Sequence, residues 1–136
     1  MSWFHTLYPY GGIGVFRDFY GISFSLNRVE NTGAAWGLFS HFSGYLFFLR
    51  CAIALTLLVY LLFFNKISAR VFPLLLILAG ATGNIVDFLL YGYVVDLFHF
   101  NFWGYTFPVF NVADMCIFLG VLAIFFVNKG WKLGKS

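Results

Sequence analysis

Charge is what this 136-residue chain has least of: 8 Lys and Arg and 5 Asp and Glu, 10% of all residues. A soluble domain carries roughly 25% charged residues, so the soluble, disordered and nucleic-acid-binding classes are excluded. The pI near 9.0 does not restore a polyanion partner, because the basic residues are few and scattered. Cysteine is equally sparse. Cys51 and Cys116 each lie in an apolar run without metal-ligand spacing and read as small hydrophobes. Met1 to Val15 lacks a basic n-region and a long apolar core, so it is not a signal peptide. Pro9 and the cluster Gly11-Gly12-Ile13-Gly14 read as loop, and no Lys-Ser/Thr follows to make a phosphate-binding loop.

What the chain has in excess is apolar surface: 62% hydrophobic and 24% aromatic residues, 20 of them Phe. Three windows have the length of membrane-spanning helices: 42–64, 71–91 and 109–127. Each contains one charge: Arg50, Asp87 and Asp114. The loop 65–70 carries Lys66 and Arg70, and the tail 128–136 carries Lys129, Lys132 and Lys135. By the positive-inside rule these two segments are cytoplasmic. Residues 1–41 and the loop 92–108 then face outward, with Trp103, Tyr105 and Phe107 suited to an interfacial aromatic belt. Arg50, about two turns inside its span, is read as snorkelling outward in preference to binding a lipid head group. Before the first span, Tyr20, Ile22, Phe24 and Leu26 alternate with Gly21, Ser23, Ser25 and Asn27. That period of two predicts a half-buried strand at the outer membrane surface. An outward-facing start implies a further spanning segment upstream.

Only five acids exist, Asp18, Glu30, Asp87, Asp96 and Asp114, and an ionised carboxylate in a bilayer costs several kcal/mol. Asp114 opens the third span, Asp87 lies near the outer end of the second, and Asp96 falls in the loop between them. This order predicts that they converge at the outer face. Two close carboxylates cannot both ionise easily, so one becomes a general base towards water and the other a donor to a carbonyl oxygen. Asn84-Ile85-Val86-Asp87 and Asn111-Val112-Ala113-Asp114 share the form Asn-x-x-Asp, which on a helix places an amide beside each carboxylate. The competing reading is that these amides bond neighbouring helices. His41 and His99 read as loop histidines, and Gly33 and Gly37 match a small-residue packing pattern too common to weigh.

Four blocks occur in order: Asn31-Thr32-Gly33-Ala34-Ala35-Trp36-Gly37, Gly83-Asn84-Ile85-Val86-Asp87, Val94-Val95-Asp96 and Phe110-Asn111-Val112-Ala113-Asp114. Together they resemble lipoprotein signal peptidase, the type II signal peptidase of bacteria, from about Ser23 to Val127. The resemblance implies an α-helical integral membrane protein with a small extracytoplasmic β cradle. It implies an intramembrane aspartyl endopeptidase of the bacterial plasma membrane, a globomycin target with its active site at the extracytoplasmic face. Such an enzyme cuts prolipoproteins just before a diacylglyceryl-modified cysteine. Asp96 and Asp114 would be the catalytic pair; Asn31, Asn84, Asp87 and Asn111 would support it or bind substrate. No metal or cofactor and no nucleic acid is expected; the partners would be the precursor and membrane lipids, around a monomer.

The chain departs from the resembled pattern in three places. Three spans are found where the family has four, so the chain is truncated, begins at an internal start, or is naturally short. Phe88 follows Asp87 where the family has arginine, and Trp36 stands where phenylalanine is commoner. A catalytically silent lipopeptide- or lipid-binding relative is therefore the alternative. A proton or ion relay through the acids ranks last, since they gather at one face.

Overall fold

The structure is a computed structural model that describes residues 12–33, 41 and 43–130. Pro9, Gly11, the Ala34 to Gly37 part of the first block, Phe42, Lys132 and Lys135 lie outside the described residues. The chain forms two compact units: Met1–Ser43 with Leu89–Asn111, and Gly44–Phe88 with Val112–Ser136.

The first unit is built on an antiparallel sheet of strands β1 (Ile13–Phe19), β2 (Ile22–Asn31), β3 (Val94–Phe102) and β4 (Tyr105–Thr106), in that spatial order. Two segments read as loop from the sequence are thus strand. Ile13 and Gly14 begin β1, paired with Leu26 and Ser25. Most of 94–106 is β3 and β4, because Val94 to Phe102 finds a ten-residue partner in β2. A single-sequence pattern shows no partner, and β propensity depends on one.

One face of the sheet is aromatic. Phe24 lies opposite Phe100 and stacks on it at 4.5 Å, and Phe110 packs against Phe98 at 5.7 Å and Phe100 at 6.0 Å. The other face holds Ser25 opposite His99, with Asn27 beside them. Ser25 and Asn27 are each 1% exposed while Leu26, between them, is 38% exposed. The strand is half-buried as the alternation predicts, but here the polar side is the buried one. Asn27 Nδ2 donates to Ser25 Oγ at 2.7 Å, and that hydroxyl lies 3.4 Å from His99 Nδ1. His99 is thus not a loop residue: it is buried in β3, and burial pushes its pKa below the ordinary value of 6.5.

The β2–β3 register contains one irregularity. Leu26 pairs with Phe98 and Val29 with Asp96, so Asn27 and Arg28 together face Leu97. This bulge has a large consequence, because side chains alternate with a period of two. Paired residues share a face, so Phe24, Leu26, Val29 and Asn31 accompany Phe100, Phe98, Asp96 and Val94. Without the extra residue, Asn31 would point with Ser25 and Asn27 instead.

The second unit is helical. Helix α1 (Ser43–Val59) continues as a π turn over Tyr60–Phe64. A 3-10 turn at Ser68–Arg70 then leads into α2 (Val71–Tyr91), and α3 is Val112–Asn128. Gly44–Phe64 and Ser68–Tyr91 are long and apolar enough to cross a membrane; α3 is a shorter apolar helix. Helix α3 starts three residues later than the apolar window 109–127. Phe110 is bridged to Phe98 of β3, donating to its carbonyl at 3.1 Å, so helical hydrogen bonding begins only beyond it.

Two glycines let α2 and α3 pack backbone to backbone. A methyl on Gly80 would collide with the Ala113 carbonyl, and one on Gly120 with the Pro73 carbonyl. Elsewhere large apolar residues face outward: Phe63 is 75% exposed, Phe72 69% and Phe118 65%. That suits hydrocarbon surroundings and not water. Arg50 is half-buried, and its Nη1 is buried and donates no hydrogen bond among the described residues.

Candidate active site

The two units each carry one of the expected catalytic acids. In the sheet unit, Asp96 sits on β3 and is 2% exposed. Both of its carboxylate oxygens receive an amide. Asn31 Nδ2 donates to Oδ2 at 3.0 Å, and Asn111 Nδ2 donates to Oδ1 at 2.9 Å. Each donor is placed by a separate local feature. The bulge in β2 turns Asn31 onto the face of Asp96, two residues along β2 from Val29, the partner of Asp96. The Phe98–Phe110 bridge, in which the Phe110 carbonyl accepts from Leu97 and Phe98 at 2.9 and 2.8 Å, sets Asn111 beside β3. Asn111 also donates to the Val95 carbonyl at 3.2 Å, which fixes its amide plane. Asn31 Oδ1 is itself held, accepting from the Gly33 N–H at 3.0 Å.

In the helix unit, Asp114 lies in the first turn of α3, where the unsatisfied N–H groups of the helix favour a negative side chain. Asn84 of α2, 8% exposed, donates from Nδ2 to Asp114 Oδ1 at 3.0 Å. The glycine contact explains this pairing. Gly80 brings α2 against the Ala113 carbonyl, and Asn84 is one helical turn above Gly80 while Asp114 follows Ala113. Asp87 is half-buried on the same helix, one turn beyond Asn84.

Beyond the helical spacing within each Asn-x-x-Asp block, the asparagines reach acids of other segments: Asn84 donates to Asp114 and Asn111 to Asp96. Asn111 precedes the first residue of α3, so its side chain is placed by the bridge to β3 and not by the helix. Phe88, the departure after Asp87, stacks on Phe47 of α1 at 4.8 Å. Ser25 and Asn27, buried on the polar side of β2, are polar residues that the sequence reading does not single out; their one signal is the alternation itself, which is silent on which side is buried. Among the described residues no group of three or more His, Cys, Asp or Glu side chains is placed to hold a metal ion.

A solved structure of a bacterial membrane enzyme is similar to this chain, with a TM-score of 0.73 and 27% identity, over 96% of this chain and 79% of that one. The fold is that of a membrane enzyme with apolar helices and a small antiparallel sheet. The family model of signal peptidase (SPase) II matches residues 3–128, and the chain belongs to that family. The lipoprotein signal peptidase of Chlamydia pneumoniae is 47% identical over 104 residues, 75% of this chain and 62% of that protein. That of Clostridium acetobutylicum is 42% identical over 114 residues, 80% of this chain and 73% of its own length.

Proposed function

We propose that this protein is an aspartyl endopeptidase that removes signal peptides from bacterial prolipoproteins, cutting before a diacylglyceryl-modified cysteine. The observation that carries the reading is two asparagine-held carboxylates, Asp96 buried with an amide on each oxygen and Asp114 half-buried with Asn84 on one, in a chain of the signal peptidase II family. An Asp with an N–H donor on each oxygen is prepared to act as an anion, since an ionised carboxylate accepts at both. Asp96 then takes a proton from water as the hydroxyl oxygen attacks the scissile carbonyl carbon. Asp114 donates a proton to the carbonyl oxygen, and the proton taken from water passes to the leaving amine. Asn31, Asn84 and Asn111 hold the carboxylate rotamers, and Asp87 serves substrate binding. In this reading α1, α2 and α3 all span the plasma membrane. Lys66, Arg70 and Lys129 mark its cytoplasmic side, and the sheet is the extracytoplasmic cradle.

The test is cleavage of a diacylglyceryl-modified precursor by the purified chain, with globomycin as inhibitor. Asp96→Asn and Asp114→Asn should each lower turnover by about a thousandfold or more. Full activity in either variant would sink the proposal.

A further inference from the structure

Arg50 is half-buried and carries a buried N–H donor that no described residue satisfies. It is the one charged residue of the apolar stretch Gly44–Phe64, and its Nη1 is buried without a hydrogen bond among the described residues. A guanidinium has five N–H donors and does not lose its proton in proteins, so it cannot escape burial by neutralising. An unmatched buried donor of this kind signals a partner that arrives from elsewhere.

The helix unit shows where that partner would lie. Phe47, Arg50 and Ala54 occupy one face of α1 at i, i+3 and i+7, and Ala54 on that face is 9% exposed. Phe47, near the start of α1, stacks on Phe88, near the end of α2, so the two helices run antiparallel there. One turn along α1 from Phe47 is Arg50, and one turn back along α2 from Phe88 is Asn84. Arg50 is therefore level with Asn84, the residue that holds Asp114.

We propose that Arg50 is a substrate-binding residue whose guanidinium donates to a carbonyl oxygen of the precursor as it lies against Asn84 and Asp114. The inference rests on the peptidase reading above. Carbonyl oxygens of this kind come from two sources, the precursor's backbone and the glyceryl esters of its lipid. Their shared demand on the protein is an N–H donor in a dry site, and arginine supplies a planar pair of them.

The experiment uses the full chain in detergent micelles with a fluorescent precursor peptide, prepared with and without the diacylglyceryl group. Arg50→Leu should weaken binding of the lipidated peptide, read by anisotropy, about tenfold, with KM rising in parallel and kcat changing less than about threefold. Arg50→Lys, which keeps the charge but not the planar fork, should fall between the two. An effect confined to the lipidated peptide assigns the contact to the esters; an equal effect on both peptides assigns it to the backbone. Thermal unfolding separates binding from a structural role. Removing an unmatched buried cation should leave Tm unchanged or raised, whereas a structural arginine would lower it. Peptide binding by Arg50→Leu within about twofold of the parent, or no binding by the parent, overturns the proposal. Binding that depends on Arg50 in a chain that does not cleave overturns the peptidase reading alone.

Discussion

The surroundings of Asp96 and Asp114 differ in kind. Asp96 is fixed by a sheet, almost wholly buried, with an amide on each oxygen. Asp114 is half-buried at the start of a helix and is held from the neighbouring helix by Asn84. One carboxylate depends on strand register and the other on how closely two helices approach. Perturbations of register and of helix contact should therefore act on different acids, and they rank by how dry each acid is.

The largest effect is expected from emptying the sheet site. Asn31→Ala combined with Asn111→Ala removes two asparagine donors from a buried carboxylate and should lower kcat/KM by about a hundredfold or more. Asn84→Ala, at the better-solvated Asp114, should cost only about tenfold. Equal losses would erase the distinction. Deleting Arg28 comes next. It removes the bulge and turns Asn31 to the opposite face, so kcat/KM should fall about thirtyfold, as for Asn31→Ala alone. Arg28→Ala keeps the residue count and should stay within about threefold, because the Arg28 side chain is exposed and its ion pair with Glu30 is a surface one.

The helix contact is tested by two neighbouring glycines. Gly80→Ala drives a methyl into the Ala113 carbonyl and should destabilise by about 2 kcal/mol, measured as a fall in Tm. Gly83→Ala meets only the Ala113 side chain at an ordinary 3.4 Å and should be tolerated. The smallest effect is that of His99. Its folded pKa lies below 6.5, so the unfolded chain takes up the proton more readily. The stability due to neutral His99 is present above about pH 6.5 and declines as pH falls through that value towards the folded pKa. Tm measured from pH 8 to pH 5 should fall in the parent and fall less in His99→Gln; parallel curves would remove His99 from the account.

Much of this is legible in the amino-acid sequence. A scarcity of charge beside long apolar runs requires helices that shield their own backbone, so the helical character follows from composition. The acids and asparagines were also identifiable, because a polar side chain in such surroundings needs a reason to be there. The half-buried strand in 20–26 was visible as alternation.

Pairing was not legible. Which asparagine holds which aspartate turns on one extra residue at Asn27-Arg28, on a bridge between Phe98 and Phe110, and on two missing methyl groups at Gly80 and Gly120. Each is a contact between segments distant in the chain, and a periodicity read along the chain carries no information about such contacts. Nor did the alternation in β2 say which side would be buried, because a period of two is symmetric between its faces. By itself the sequence determined the class of molecule and the residues able to do chemistry. The tertiary structure decided their partners, because hydrogen bonds a few ångströms long are set by register and helix contact, and these are fixed only when the chain folds.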